Sequence, residues 1–395
     1  MAITCPGFRF AGIRAGIKNK ADALDLGLIV PDGPAVGAAI FTSNRVPAAP
    51  VEVSKRALER GRGTVRAVVV NSGNANACTG DAGLADAAEM ADVASKALGL
   101  DADLVLVAST GVIGVPLPMD AIRSGIPRAV GELSSDGAAA AGAILTTDNF
   151  PKTAAMRLEI DGVEVTIGGM AKGAGMIHPN LATTLCFLTT DASVPPAVLR
   201  GALKRAVSES FNAITVDGDT STNDTVLLLA NGRAGGPSIT NGGALSRFTE
   251  GLTLVAGELA RMVVRDGEGA TKLVEIAVEG AASDLEARQA AMTVASSLLV
   301  KTALHGGDPN WGRILAALGR SGVEMNEATT DVSFGQLPVV RGGLGVPGVS
   351  GAAAAVLEEK EISVRIGLGV GDGHARVWTS DLSEEYVRIN GSYTT

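Results

Sequence analysis

Short apolar runs and helical stripes alternate along the whole chain. Leu24-Asp-Leu-Gly-Leu-Ile-Val30 reads as a strand, as does the stretch from Ala38, which ends where Pro47 breaks the ladder. Ala67-Val-Val-Val-Asn71 reads as a buried strand that runs into a Gly/Asn turn ending at Asn76. Residues 83–98 carry Ala, Leu and Met at helical spacing, with Asp81 available as an early cap. Val105-Leu-Val-Ala-Ser-Thr-Gly111 is a strand closing in a turn, and residues 136–145 are Ala-rich and helical in composition. Leu158-Glu-Ile-Asp-Gly-Val-Glu-Val-Thr-Ile167 alternates by two about Asp161-Gly162, which predicts a hairpin.

Beyond the middle, Leu185–Asp191 and Thr225–Ala230 read as buried strands. Pro195–Phe211 and Gly251–Val264 read as helices. Ser283-Asp-Leu-Glu286 is a capping box opening a helix to about Leu304. From about 320 strands and Gly turns dominate. Gly367-Leu-Gly-Val-Gly-Asp-Gly373 is followed by strand-like Ala375-Arg-Val-Trp and reads as a hairpin, not a dinucleotide loop.

A chain of 395 residues holds enough core for two or three domains, and 46% hydrophobic with 19% charged residues is a globular composition. The net charge of −9 argues against nucleic acid or an anionic membrane as the main partner, but leaves room for a local basic pocket. No signal peptide is readable, and no apolar run approaches the roughly 20 residues of a membrane helix. Cys5, Cys78 and Cys186 are widely spaced, which disfavours a disulfide framework and makes the cytoplasm the expected compartment. Cys186 reads as a small buried residue, in preference to a nucleophile. His178, His305 and His374 lack ligand spacing, so no metal is expected. Asp217, Asp219 and Ser221 start like a calcium loop, but Thr222 and Leu228 stand where Gly and Glu are required.

The chemistry centres on Gly173-Ala-Gly-Met-Ile-His-Pro-Asn-Leu-Ala-Thr-Thr-Leu185. A Thr hydroxyl beside its own preceding carbonyl can attack it, given a strained turn, a base and oxyanion donors. Hydrolysis of the ester cuts Ala182–Thr183 and leaves Thr183 with a free α-amine. With a reference pKa of about 8, that amine can serve the hydroxyl as general base. Ala-Thr-Thr is also an ordinary strand or loop tripeptide.

Lys172 to Leu185 resembles the processing motif of the ornithine acetyltransferase family, also called glutamate N-acetyltransferase. Its usual wording is Lys-Gly-Ser-Gly-Met-Ile-x-Pro-Asn-Met-Ala-Thr-Met-Leu. The chain departs from it at Ala174, Leu181 and Thr184, none in the scissile pair. Further stretches are similar in order: Phe41-Thr-Ser-Asn-Arg45, Ser109-Thr-Gly111, Thr146-Thr-Asp-Asn-Phe-Pro-Lys152, Asp266-Gly-Glu-Gly-Ala-Thr-Lys272, Asp308-Pro-Asn-Trp-Gly-Arg313 and the carboxyl terminus.

The resemblance implies an α+β fold, a four-layer α-β-β-α sandwich similar to N-terminal nucleophile hydrolases but differently connected, plus a smaller C-terminal α/β domain at about 283–395. It implies an α chain of 1–182 and a β chain of 183–395, paired as α2β2. Thr183 would be the nucleophile, Thr110 and Gly111 the oxyanion hole, and Thr146, Lys172, Thr183, Glu268, Asn390 and Thr395 the substrate contacts. Acetyl would pass from N2-acetyl-L-ornithine to L-glutamate without a cofactor, with acetyl-CoA a co-substrate if the enzyme is bifunctional. A self-cleaving aminopeptidase or amidase, passing the acyl group to water, stays open at this point. So does an uncleaved amino-acid-binding protein of the same fold.

Overall fold

The computed structural model describes residues 4–20, 22–178 and 184–392. They divide into two compact units: residues up to Asn212 with Asp219–Val263, and Ala213–Gly218 with the residues from Val264 onward.

The first unit stacks two sheets. One holds β1 (Phe8–Ile13), β2 (Leu26–Pro31), β5 (Ala67–Asn74) and β6 (Val105–Val112), in that spatial order. The other runs β4 (Thr64–Val65), β3 (Ala35–Phe41), β11 (Thr225–Ala230), β9 (Leu185–Thr190), β8 (Val163–Lys172) and β7 (Lys152–Ile160). Side chains alternate across a strand, so a continuous apolar run serves two cores. Val68 and Val70 join Phe10, Leu106, Phe187 and Leu227 between the sheets. Ala67 and Val69 face the opposite way, into a core shared with α2 (Gly80–Leu98) and α3 (Met119–Gly131). Beyond the second sheet, α5 (Pro196–Ser208) lies against β3 and β11. The long α6 (Gly242–Arg265) lies against β8, where Gly169 has no room for a side chain beside Leu188 and Leu259. The order of layers is therefore α-β-β-α.

The predicted hairpin forms by pairing of β7 and β8, with Asp161 and Gly162 both at positive φ. Helix α2 starts at Gly80 behind Thr79, so Asp81 lies in its first turn and does not cap it. Helix α6 begins nine residues before the expected Gly251, because Asn241-Gly-Gly marks its start and not a continuing loop.

The second unit is one sheet, in the order β10 (Ile214–Thr215), β17 (Gly373–Ser380), β12 (Leu273–Ala281), β16 (Glu361–Gly367), β13 (Asp331–Phe334), β14 (Leu337–Arg341) and β15 (Leu344–Gly345). Its core packs against α7 (Asp284–Ala295), α8 (Leu298–His305) and α9 (Trp311–Gly319). Ser283 caps α7 by accepting from the Glu286 N–H at 3.3 Å, as the capping box requires. The helix expected to run to Leu304 breaks at Ser296-Ser297 into α7 and α8. The Gly367–Gly373 hairpin is corrected too. β16 and β17 do not pair with each other but flank β12, and the Gly-rich segment crosses its end through Leu368, Val370 and Gly371 N–H groups bonded to Glu279 and Gly280 carbonyls. The Asp308-Pro-Asn-Trp-Gly-Arg313 signature is a helix start: the Asn310 side chain accepts from the Arg313 N–H at 3.2 Å and caps α9.

Candidate functional site

Thr110 and Gly111 stand at the end of β6, where Gly111 pairs in parallel register with Gly73 of β5. Gly111 has φ +134°, and a Cβ there would fall 2.3 Å from the Gly73 carbonyl carbon and 2.5 Å from Asn74 N. Only glycine allows the two backbones to come so close. Around them, buried amides serve the main chain: Asn71 Nδ2 donates to Asn74 O, Asn74 Nδ2 to Val115 O and Pro116 O, and Asn76 Nδ2 to Gly83 O. The Gly/Asn turn is thus a rigid support for the strand end that carries Thr110.

A second group gathers around Asp148, a residue sequence reasoning did not single out. The side chains of Asp148 and Lys152 are both fully buried and meet at 2.7 Å. The same carboxylate accepts from Gly173 N–H at 2.7 Å and from Thr146 N–H at 2.9 Å. It thereby ties the Thr146 turn to the glycine that follows Lys172. Burial opposes its charge, but Lys172 and Lys152 outweigh it and hold the carboxyl down to about 2. Lys172 is also buried, so it is not a solvated surface lysine.

Lys18 was missed as well. Its ammonium donates to Leu24 O and to Leu145 O, the latter at 2.7 Å and next to Thr146. Its stem lies so close to Gly73 that a Cβ there would meet Lys18 Cγ at 2.8 Å. The Asp25 carboxylate fixes the Lys18 loop by accepting from the N–H groups of Ala15, Gly16, Ile17 and Lys18. Burial pushes the Lys18 ammonium down to about 8, against the pull of Asp25 and Asp148. For Asp148, Lys18 and Asp25 alike the sequence holds no local signal.

In the second unit, Glu268 accepts from Asn390 Nδ2 at 2.8 Å, so two expected substrate contacts meet directly. The Glu268 loop is fastened on both sides. Asp381 accepts from Thr271 N–H, Thr271 Oγ1 and Lys272 N–H, and Ser383 Oγ donates to Gly269 O at 2.6 Å. Burial works against the charge of Asp381, but bonds from Thr271 and from His305 at 2.7 Å keep its carboxyl below the usual range.

Ala182, Thr183 and Thr395 lie outside the described residues. Thr184 is buried, and its N–H donates to Asp224 Oδ1 at 2.8 Å. Cys186 is fully buried, and burial drives its thiol far up, which removes it as a nucleophile. Among the described residues no cluster of His, Cys, Asp and Glu could hold a metal ion, and no helix is long and apolar enough to cross a membrane.

Residues 9–395 match the model of the ArgJ family. The arginine biosynthesis bifunctional protein ArgJ of Symbiobacterium thermophilum is 54% identical over 397 aligned residues, covering 100% of this chain and 98% of its own. That of Geobacter sulfurreducens is 52% identical, covering 98% and 99%. The crystal structure of the arginine biosynthesis bifunctional protein ArgJ of Bacillus halodurans matches with a TM-score of 0.51 and 42% identity, over 98% of that chain but 52% of this one.

Proposed function

The chain belongs to the ArgJ family, and from that premise we propose that it cuts itself at Ala182–Thr183 and then transfers acetyl from N2-acetyl-L-ornithine to L-glutamate. In the first event Thr183 Oγ bonds to the Ala182 carbonyl carbon, the Ala182–Thr183 C–N bond breaks, and the hydroxyl proton passes to the departing amine. Water then hydrolyses the ester. In each later turnover the α-amine takes the Oγ proton as Thr183 attacks the acetyl carbonyl, and Thr110 and Gly111 hold the oxyanion. Ornithine leaves with the proton. The glutamate amine attacks the acetyl ester, and its proton returns to Thr183.

The observation that carries this reading is the cluster in which one buried carboxylate, Asp148, links the Thr146 turn to Gly173 under the charge of Lys172. This supports the reading because Thr146 and Lys172, which the resemblance implies as substrate contacts, gather around the same carboxylate, on a chain that matches the family almost end to end. Lys172 suits a substrate carboxylate, and Glu268 with Asn390 suits an ammonium; Thr395 is assigned with them by resemblance. The half-length match to the solved Bacillus halodurans chain supports the cut, since one product of a mid-chain cleavage has that length. The name "bifunctional" carried by the relatives supports acetyl-CoA as a second acetyl donor to glutamate. The two chains are proposed to stay paired as α2β2.

The test is an intact-mass spectrum of wild-type and Thr183→Ala protein, followed by transfer of labelled acetyl from acetylornithine to glutamate. Two chains, the second starting at Thr183, with transfer lost in the variant, are expected. A variant with normal transfer refutes the mechanism, and release of acetate without transfer to glutamate moves the assignment to an amidase.

A further inference from the structure

The segment Ser221-Thr-Asn-Asp224, set aside above as a calcium loop, lies at the start of β11 and is buried throughout. Its last two side chains bond in different directions. Asn223 Nδ2 donates to Ser109 O at 2.8 Å and to Ala75 O at 2.6 Å. Both partners are carbonyl oxygens, which only an N–H can serve, so the amide has one orientation. Ser109 is the residue before Thr110. Asp224 Oδ1, one residue on, accepts from the Thr184 N–H at 2.8 Å. That N–H belongs to the peptide joining Thr184 to Thr183. The Thr184 carbonyl accepts from Thr225 N–H at 3.1 Å, so both polar backbone atoms of the residue after the nucleophile are held.

The dipeptide is itself immobilised. Thr222 Oγ1 donates to Asn223 Oδ1 at 2.5 Å, the Asn223 N–H donates to Ser221 Oγ at 3.0 Å, and the Ser221 carbonyl accepts from Thr42 Oγ1 at 2.6 Å. The Thr42 N–H donates to Asp224 O at 2.9 Å.

We infer that Asn223 and Asp224 form a clamp that sets the oxyanion strand end and the nucleophile strand in register, one side chain gripping each. The inference rests on the proposed roles of Thr110, Gly111 and Thr183. It makes Asn223 and Asp224 positioning residues that act through Ser109 and Thr184. Neighbouring side chains on one rigid strand start fix the separation of two half-sites that lie on different sheets. Misplacing a reacting group by about 1 Å costs roughly 100-fold in rate. Two features favour a clamp over simple core filling. Asp224 Oδ2 has no hydrogen-bond partner among the described residues, an expensive arrangement that an apolar side chain would avoid. Burial drives the carboxyl well above its ordinary range, against the pull of the Thr184 N–H, Lys172 and Thr42. Asparagine keeps the shape of the side chain and an acceptor oxygen for the Thr184 N–H.

The test is cell-free synthesis of wild type, Thr183→Ala, Asp224→Ala, Asp224→Asn and Asn223→Ala, with intact mass followed in time. Asp224→Ala and Asn223→Ala are expected to cleave about 100-fold more slowly than wild type. Asp224→Asn is expected to cleave in the wild-type range. Once matured, Asn223→Ala should show a lowered kcat for acetyl transfer with KM unchanged, a split that a loss of folded protein does not produce. A folded Asp224→Ala that cleaves at the wild-type rate overturns the clamp, as does a folded Asp224→Asn as slow as Asp224→Ala. Should Asp224→Ala not fold, Asn223→Ala decides: wild-type cleavage with wild-type kcat overturns the inference. Failure of wild type itself to cleave overturns the proposed function, and is told apart because the control then matches Thr183→Ala.

Discussion

Replacing Asp148 by Asn tests whether the buried charge cluster is a structural keystone. The variant keeps the shape of the side chain but removes the negative charge that meets Lys152 at 2.7 Å, with both side chains fully buried. Breaking a buried pair by removing one charge costs about 3–5 kcal/mol, because the remaining ion has lost its solvation without compensation. The titration of Asp148 provides a second, independent measure. Its carboxyl is held at about 2, against an ordinary 3.8. A depressed carboxylate contributes stability that is present above the ordinary value and lost as pH falls toward the folded one. That difference is worth roughly 2 kcal/mol, which wild type should lose between about pH 4 and pH 2 and the Asn variant should not. Urea unfolding of both proteins at pH 7 and along an acid series gives both numbers, the second from the difference curve. An Asn variant within 1 kcal/mol of wild type at pH 7, with an unchanged acid profile, would refute the reasoning.

Gly111→Ala should lower kcat by roughly 100- to 1,000-fold, since a Cβ collides with the Gly73–Asn74 backbone and would move the proposed oxyanion donor; steady-state transfer kinetics check it, and near-normal turnover contradicts the proposal. Lys18→Met keeps the stem beside Gly73 but loses the bond to Leu145 O. It should reduce kcat/KM about tenfold, the worth of a charge-assisted hydrogen bond of about 1.5 kcal/mol. Asn390→Ala should raise KM for acetylornithine about tenfold by leaving Glu268 without its amide at 2.8 Å, and an unchanged KM would remove the pair from substrate binding. Ser283→Ala should lower unfolding stability by about 1 kcal/mol while leaving transfer kinetics intact, because the hydroxyl only caps α7.

What could be read in advance divides by range. The Asp161-Gly162 hairpin and the Ser283 cap were legible because each is specified by adjacent residues. The break at Ser296-Ser297 was not, since the apolar pattern continues through it. β16 and β17 looked like a hairpin because nothing local announces that β12 separates them. In the site, Thr110, Gly111, Thr146, Lys172, Glu268 and Asn390 came from resemblance. The physical reading alone left Thr110 and Gly111 as a strand-ending turn, Lys172 as a surface lysine and Glu268 in a charged turn. The groups that hold them, Asp148, Lys18, Asn223 and Asp224, escaped because burial of a polar side chain depends on distant strands. Lys172 shows the difficulty: its residue type alone suggests a solvated lysine, yet it is buried.

If the proposed cut takes place, the order of the second sheet has a consequence for the lifetime of the protein. β9 and β11 lie side by side, flanked by β3 on one edge and β8 on the other. With the bond after Ala182 severed as proposed, that pair would belong to a different polypeptide from the strands around it. Each border is a ladder of six paired residues. The precursor folds as one tethered chain, whereas the finished protein, if unravelled, must find its other half by diffusion. Recovery from denaturation should then depend on concentration, and the enzyme would be assembled only once, before the cut.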